Sequence, residues 1–298
     1  MRNKPEMSVT LKFFVMFFIG IFFSCEFVQP SSFQKNAHFY CTSADERFLP
    51  VLMRLLASIF KNDDEYLGEI AIFDLGFSPK QRALLNNMQK VKVYELEKAH
   101  PDILTHFITS PEGRKVRGWF AWKPVAIKQA LDVYPYILYL DAGMEVFKPL
   151  GNVFEHIRQQ GYFLIDAGPY SIESRITKSV LQKLVSCLKQ EEQQLVLLPS
   201  TRLISAGIQG LTRALYNDYV FPVYQHASDL SLFADDGSAR LGFGAGRHDQ
   251  IIFSIYAYLN NLKIYSEGWL DLVVNGAKIS CHMHWDRKQV NEHTLLIY

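Results

Sequence analysis

The chain has 298 residues, and its 31 Lys and Arg side chains nearly balance its 30 Asp and Glu side chains, giving a formal net charge of +1. Hydrophobic residues make up 49% and charged residues 20% of the sequence, which is enough material for a large core and excludes a disordered chain. No basic stripe is present, so we expect no nucleic-acid partner, and any anionic ligand must be bound by a local site.

The first 28 residues are predicted to be a signal peptide or a short signal anchor. An apolar run from Phe13 to Cys25 follows three basic residues. This run is shorter than the ~20 residues of a comfortable membrane span, unless it extends to Val28. The basic residues favour a cytosolic N-terminus. We therefore expect a membrane-associated protein or one of the secretory pathway, in a Golgi-like lumen if the cell is eukaryotic. Residues 29–36 are predicted to be a linker, and residues 37–298 a single domain.

Short β-rich runs alternate with stretches of helical periodicity as far as residue 141. The predicted strands are 37–42, 70–73, 91–94 and 136–140, and the predicted helices begin after Asp45, at Ser78-Pro79 and at Trp122-Lys123-Pro124. This alternation is typical of a parallel sheet with right-handed crossovers. The fold class is therefore predicted to be α/β, with a mostly parallel sheet flanked by helices. Residues 96–118 are polar and irregular, so we expect a surface loop there.

The second half of the chain is less regular. Its predicted elements are a strand over 162–165, an amphipathic helix over 172–188, a strand-like run over 203–209, a helix over 249–259 and a last strand over 262–265. A glycine-rich run before the second of these helices comes too late, and without a preceding strand, to be a dinucleotide-binding fingerprint. No change in composition marks a second domain.

The most informative single feature is a carboxylate at the end of an apolar strand. Asp141 follows the run Tyr136–Leu140, which suits a strand buried on both faces. Open α/β sheets bind ligands at the carboxyl ends of such strands. Asp141 and Glu145 could both reach one Mg²⁺ or Mn²⁺ ion with a diphosphate on its far side. In the alternative interpretation, Asp141 only starts a turn and Glu145 is an ordinary edge-strand residue.

Three other runs carry side chains suited to ligand binding. Aromatic and cationic residues lie together between Arg114 and Lys123. Such a run could bind the face of a sugar or base together with phosphate groups, but packing in the core explains the aromatic residues equally well. The run Arg247-His248-Asp249-Gln250 opens a predicted helix, where N–H groups favour an anion; Asp249 as a helix cap is the alternative. His282 and His284 would share one face of a strand, as two metal ligands do.

The four cysteines form no CxxC pair, which excludes a zinc ribbon or a thioredoxin motif. Cys41 and Cys281 could form a disulfide in an oxidising compartment, but buried free thiols explain both of them as well. Cysteine spacing therefore leaves the redox state of the chain open.

Together these residues resemble a GT-A-type glycosyltransferase, of the broad group that includes glycogenin-like and galactosyltransferase-like enzymes. The resemblance runs over most of residues 37–266. It consists of Thr42-Ser43-Ala44-Asp45, Trp122-Lys123-Pro124, Asp141-Ala142-Gly143, Ala206-Gly207 and His248-Asp249-Gln250. Enzymes of this group bind a nucleotide-sugar on the first half of the sheet. They hold Mn²⁺ or Mg²⁺ against the diphosphate with an Asp-x-Asp motif, and they admit the acceptor over the second half.

The resemblance implies a role for each matching residue. The nucleotide would be faced by Thr42, Ser43 and Asp45. Lys123 would lie near the donor, and Asp141 would be the first acid of the motif. The sugar and acceptor side would be lined by Ala206, Gly207, His248, Asp249 and Gln250, with Asp249 nearest the reacting carbon. Gly143 stands where the motif has its second acid. Glu145 or a late histidine such as His282 would then complete the metal site, or the protein would work without a metal, or it would have lost its activity.

The leading hypothesis is that the protein transfers a hexose from a nucleotide-diphosphate sugar to a hydroxyl group of a carbohydrate, protein or lipid. The expected partners are this donor and acceptor, and the membrane through the N-terminal segment. The alternative is a catalytically inactive sugar- or nucleotide-binding protein on the same fold. A more distant possibility is a phosphohydrolase that uses Asp141 as its nucleophile.

Overall fold

A six-stranded sheet organises the part of the chain that the computed structural model describes, which is residues 37–105, 107–109, 115–265 and 279–280. The strands in chain order are β1 (His38–Ala44), β2 (Leu67–Asp74), β3 (Val91–Glu95), β4 (Phe107–Thr109), β5 (Lys115–Arg117), β6 (Tyr136–Leu140), β7 (Glu145–Val146), β8 (Tyr162–Ser171), β9 (Arg202–Thr212) and β10 (Ile279–Ser280). The main sheet has the order β3–β2–β1–β6–β9–β8, while β4 pairs with β5 and β7 with β10.

The strands of the main sheet run mostly in one direction. Neighbouring strands are parallel from β3 through β2 and β1 to β6, whereas β9 is antiparallel to both β6 and β8. Only β9 therefore opposes the other five strands, and the predicted mostly parallel α/β sheet is confirmed. The carboxyl ends of β1, β2 and β6 meet at one edge, where Asp45 and Asp141 follow their strands.

Helices cover both faces of this sheet. They are α1 (Leu49–Asp63), α2 (Pro79–Asn86), α3 (Trp122–Val133), α4 (Gly151–Gln160), α5 (Ile172–Arg175), α6 (Lys178–Lys183), α7 (Gln190–Val196), α8 (Phe221–His226) and α9 (His248–Leu259). Tyr40 on β1 packs in a core cluster with α1 and α4. Phe39 stacks on Tyr134 at the end of α3, at 5.0 Å between ring centroids. Because successive strand residues face opposite sides, β1 is covered on both faces and is buried along its whole length.

Side-chain caps start the first helices where the sequence predicts them. Asp45 accepts hydrogen bonds from the backbone N–H groups of Arg47 and Phe48. Ser78 and Gln81 form a reciprocal capping box at the start of α2. These caps satisfy N–H groups that have no partner within the helix.

Two predictions from hydrophobic periodicity were wrong. The predicted helix over 172–188 is α5, α6 and a 3₁₀ turn, because Ile176 is extended and Thr177 accepts a hydrogen bond from Val180 to begin a new helix. The predicted strand over 262–265 makes a single bridge, between Ile165 and Tyr265.

Several predictions fall on residues that the structure does not describe. Residues 1–36, with the proposed signal segment and linker, lie outside the described residues, as do Cys281, His282 and His284. Cys41 is a buried free thiol. Among the helices of the described ranges, none combines the length and apolar character that crossing a bilayer demands.

Candidate active site

The ammonium group of Lys123 joins two carboxylates that are far apart in the sequence. Its Nζ lies 3.0 Å from Asp141 Oδ1 and 3.0 Å from Asp249 Oδ2, and it donates a hydrogen bond to the Ala206 carbonyl oxygen at 3.3 Å. Lys123 and Asp249 are buried, whereas the Asp141 side chain is 40% exposed. We call Lys123, Asp141 and Asp249 the ion triad; its charges sum to −1, and Asp141 is its solvent-facing member.

The fold brings the ion triad together through three separate elements. Lys123 is the second residue of α3, Asp141 directly follows β6, and Asp249 is the second residue of α9. The Asp141 N–H donates to the carbonyl oxygen of Gly207 on β9 at 2.9 Å. The cleft at the carboxyl end of β6 is thus built from both halves of the chain.

Burial and the neighbouring charges act against each other on Lys123 and Asp249. Burial alone lowers the pKa of the Lys123 ammonium, but Asp141 and Asp249 raise it by more, so the net direction is upward. Burial raises the pKa of Asp249, and Lys123 only partly offsets this rise. Lys123 therefore stays charged at neutral pH, because a buried ammonium is tolerated when it is paired.

Tyr139 belongs to the site, although we did not predict it. Its hydroxyl donates to Asp141 Oδ1 at 2.9 Å, and burial together with the charge of Asp141 raises its pKa, which keeps the hydroxyl protonated. Residues two apart on a strand share a face. The two-residue alternation of side chains along a strand could therefore have indicated that Tyr139 lies on the same face as Asp141.

Two glycines beside Asp141 have very different surroundings. A Cβ added at Gly207 would lie 2.7 Å from Asp141 Oδ2, whereas a Cβ at Gly143 would have no atom of the described residues within 4 Å, apart from its chain neighbours. Gly207 thus lets the carboxylate of Asp141 approach β9. Gly143 faces open space two residues after Asp141.

Three aromatic side chains meet where α3 and α9 begin, and all three residues have positive φ angles: 49° at Trp119, 64° at Phe120 and 34° at His248. The His248 ring lies 4.9 Å from the Trp119 ring and 5.2 Å from the Phe120 ring. A non-glycine residue in this region costs about 1–3 kcal/mol and is found most often at functional sites. This strained cluster leads directly into Lys123 and Asp249.

His248 and Gln250 each use one polar atom to hold the fold. The Nδ1–H of His248 donates to the Phe233 carbonyl oxygen at 2.7 Å, and burial lowers the pKa of the ring, so the imidazole is neutral with Nε2 as an acceptor. Gln250 Nε2 donates to the Ile204 carbonyl oxygen at 2.6 Å, which ties α9 to β9. Its Oε1 has no hydrogen bond to any residue of the described ranges.

The residues predicted to face the nucleotide lie at the end of β1. The hydroxyls of Thr42 and Ser43 are buried and have no hydrogen-bond partner in the described part of the chain. An unsatisfied buried hydroxyl costs about 1–3 kcal/mol. Asp45 caps the next turn, and its Oδ2 lies 3.4 Å from Arg117. Two orphaned hydroxyls in succession are unusual for residues that serve packing alone.

The residues predicted to bind a metal do not come together as a set. Glu145 pairs with Arg54 at 3.3 Å on the surface, and no group of three His, Cys, Asp or Glu residues that could hold a metal occurs among the described residues. Asp141 Oδ2 makes no hydrogen bond within those residues. One free carboxylate oxygen fits Mg²⁺ or Mn²⁺ when waters and substrate phosphates supply the other ligands.

Comparison with known proteins finds similar solved structures. No family model matches the sequence, and no curated protein matches it. The galactosyltransferase LgtC, in complex with donor and acceptor sugar analogues, is 13% identical, with 77% of this chain and 73% of that chain covered and a TM-score of 0.46. Core-mannan synthase A from Aspergillus fumigatus, in its Mn/GDP form, is 13% identical, with 76% and 72% covered and a TM-score of 0.48.

A third similar structure is mouse xyloside xylosyltransferase 1 in its apo form. It is 14% identical, with 77% of this chain and 84% of that chain covered and a TM-score of 0.43. All three are GT-A glycosyltransferases, the class that the sequence resembles.

We expect replacement of Lys123 by Met to destabilise the protein by about 3–5 kcal/mol, because Asp249 would remain buried without its counter-charge. The control is Lys128→Met on the same helix, where the lysine pairs with Asp132 and Glu97 near the surface; its cost should be about 1 kcal/mol or less. Urea unfolding gives both values. The penalty of Lys123→Met should shrink at acidic pH, because protonation of Asp249 removes the unpaired charge. Equal losses in the two variants would contradict a structural role for the ion triad.

Proposed function

We propose that the protein is a glycosyltransferase that moves a hexose from a nucleotide-diphosphate sugar to a hydroxyl acceptor. The observation that carries this proposal is the meeting of Lys123, Asp141 and Asp249 within 3.0 Å at the carboxyl edge of the sheet. The resemblance placed Lys123 near the donor, Asp141 at the metal motif and Asp249 on the sugar and acceptor side. The meeting of the three residues at one edge of the sheet supports a common site.

The start of α9 suits the hydroxyl groups of a sugar. Asp249, His248 Nε2 and Gln250 Oε1 are hydrogen-bond acceptors, and sugar hydroxyls are donors. In the transfer, the bond from the anomeric carbon to the diphosphate breaks, a bond to the acceptor oxygen forms, and the acceptor hydroxyl loses its proton. Neutral His248 is in the protonation state that a base for this proton needs. We assign Asp249 to the position nearest the reacting carbon.

The charge of the ion triad favours a cation that enters with the donor. The triad sums to −1, so it would repel a diphosphate that has no counter-ion. We propose that Asp141 Oδ2 holds Mn²⁺ or Mg²⁺ together with the diphosphate, with the late histidine His282 as a further proposed ligand. When bound, the ion would neutralise charge on the departing diphosphate. Thr42, Ser43 and Asp45 would face the nucleotide, next to the same edge of the sheet.

The acceptor class and the location stay proposals. The N-terminal segment supports a membrane-associated or secretory enzyme with a carbohydrate, protein or lipid acceptor. A compartment that is supplied with nucleotide-sugars, such as a Golgi lumen, would meet the requirement for a donor.

Gly143 favours a second candidate function, a binding protein without turnover. The motif of the resembled family has an acid at this position, and glycine contributes no ligand. Such a protein would bind nucleotide-sugars at the same residues. Calorimetric binding of a nucleotide-sugar that is neither hydrolysed nor transferred would favour this function over the enzyme.

Asp141→Asn should abolish donor hydrolysis and transfer, with a loss of about 10³-fold or more, because the solvent-facing charge of the ion triad is removed while its shape is kept. The matched control is Asp132→Asn, an exposed carboxylate on α3 that pairs with Lys128; it should stay within about twofold of the parent protein. A panel of nucleotide-sugars, assayed for release of the nucleoside diphosphate, measures both variants. Full activity in Asp141→Asn would remove the proposal.

The parent protein should bind Mn²⁺ tightly only when a nucleoside diphosphate is also present. The Gly143→Asp variant should bind Mn²⁺ equally well with and without the diphosphate. The open space at Gly143 can accept a carboxylate, which gives the ion a second protein ligand. Titration with Mn²⁺ alone and with Mn²⁺ plus UDP or GDP tests this prediction. Tight binding of Mn²⁺ alone to the parent protein would show that protein ligands beyond Asp141, such as His282, already form a complete site. Glu145→Gln should change neither titration, because Glu145 pairs with Arg54.

Gly207→Ala should lower donor turnover by about tenfold or more, whereas Gly143→Ala should leave it nearly unchanged. The new methyl group at position 207 would displace the Asp141 carboxylate, and small displacements of a positioned group are costly in catalysis. The methyl group at position 143 would contact no atom of the described residues other than those of its chain neighbours. Measurement of kcat for the two variants tests this difference in turnover, and thermal unfolding checks that both variants fold. Equal effects would show that the approach of Asp141 to β9 is unimportant.

A further inference from the structure

Two arginine side chains lie beside Tyr170, and neither forms an ion pair with an acidic residue in the described ranges. The guanidinium carbon of Arg175 is 3.9 Å from the centroid of the Tyr170 ring, and that of Arg247 is 5.9 Å from it. Arg175 is only 7% exposed, and its Nε is buried with no hydrogen-bond partner in the described part of the chain. Within that part, neither guanidinium group makes a hydrogen bond or an ion pair. We call Tyr170, Arg175 and Arg247 the arginine pair site.

The nearest carboxylates are already engaged elsewhere. Asp235 accepts hydrogen bonds from the backbone N–H groups of Gly237 at 3.2 Å and Gly244 at 2.7 Å. Glu173 pairs with Arg240 at 3.3 Å. These contacts anchor the loop that leads into α9. The charge of Asp235 offsets part of the repulsion at Arg247, but Asp235 makes no ion pair with either arginine within the described residues.

The positive charge of Arg175 destabilises that of Arg247. Burial is the main cause that lowers the pKa of Arg247, Arg175 lowers it further, and Tyr170 and Asp235 offset only part of this decrease. Guanidinium groups bind a carboxylate, sulfate or phosphate through paired hydrogen bonds. Because both guanidinium groups lie against the same tyrosine ring, the arrangement favours an anion beside that ring.

The arginine pair site lies three strands along the sheet from the residues proposed for the nucleotide. Tyr170 is near the end of β8, which is the third strand from β1 in the sheet, so the strand spacing separates the two sides by roughly 14 Å. Arg247 directly precedes His248 and Asp249, and α5 packs against α9. An anion held here would sit next to the sugar-binding residues, on the side away from the nucleotide.

We propose that Tyr170, Arg175 and Arg247 bind an acidic group, a carboxylate, sulfate or phosphate, on the acceptor saccharide. Tyr170 is 40% exposed, so the site opens to solvent and can admit a ligand. The anion-binding part of this proposal stands on the arginine geometry alone, whereas the assignment to an acceptor rests on the proposed glycosyltransferase function. The protein would then select acidic over neutral acceptors.

The test uses the intact chain with Arg247→Gln and Arg175→Gln, and with Arg240→Gln as the control. Arg240 lies on the same loop but is exposed and paired with Glu173. Sulfate, inorganic phosphate and glucuronate are titrated separately at constant ionic strength, balanced with sodium chloride. We expect the parent protein and Arg240→Gln to bind at least one of these anions, and Arg247→Gln to bind it at least about tenfold more weakly. The anion that binds most tightly shows whether the natural acidic group is a carboxylate or a sulfate or phosphate ester.

Thermal unfolding in low salt without added anion distinguishes a binding role from a structural one. If the arginine pair exists to bind a ligand, Arg247→Gln should unfold at the same or a higher temperature than the parent protein, because one of two repelling buried charges is gone. A lower unfolding temperature together with unchanged anion affinity would overturn the proposal. Equal anion affinity in the parent protein and both arginine pair variants would overturn it as well.

Two readouts on the parent protein separate this inference from the proposed function. Anion binding without any donor hydrolysis would leave the arginine pair site intact and refute the enzyme. Donor hydrolysis without anion binding would refute the arginine pair site alone. Where both are present, transfer to a glucuronate-bearing saccharide should exceed transfer to the matched neutral saccharide by about tenfold, and equal transfer to the two would refute the acceptor assignment.

Discussion

The pairing of one buried ammonium with two carboxylates is the constraint on which the cleft depends. Lys123 is tolerated in the interior because Asp141 and Asp249 lie 3.0 Å away. Removal of Lys123 leaves two carboxylates without their counter-charge, one of them buried, which costs far more than the pair itself contributes. The start of α3, the end of β6 and the start of α9 are therefore held in one relative arrangement. Any ligand that enters the cleft meets preorganised charges.

Backbone strain at the two helix starts supports the same arrangement. Gly118, Trp119 and Phe120 have successive positive φ angles just before α3, and His248 has one at the start of α9. At Gly118 a side chain would collide with the Ile103 carbonyl oxygen, so glycine is required there. Stacking of Trp119 on His248 and the tilted contact of Phe120 with the same ring offset part of the strain. A helix entered without this turn would begin in a different direction and would carry Lys123 away from Asp249.

Local sequence patterns predicted the sheet, and the resemblance named Lys123, Asp141 and Asp249, but neither predicted how these three residues pair. The run before Asp141 and the capping box at Ser78 depend on neighbours in the chain, so the sequence shows them directly. The contact of Lys123 with Asp249 depends on how α3 and α9 pack, which no local period records. The same holds for Arg175 and Arg247. The predicted helix over 172–188 was wrong because hydrophobic spacing continues through Thr177, whose side chain caps a new helix.

The distribution of charge across the cleft constrains how a substrate can be oriented. Asp141 and Asp249 make one side negative, while Arg175 and Arg247 make the other side positive, and Arg247 and Asp249 belong to the same turn at the start of α9. A diphosphate without a counter-ion would be repelled from the first side and attracted to the second. A divalent cation reverses the preference at Asp141, because it turns the diphosphate into a group that the carboxylate can hold. The cation would then decide which end of the cleft receives the donor, and the arginine pair would remain free for the acidic group of the acceptor.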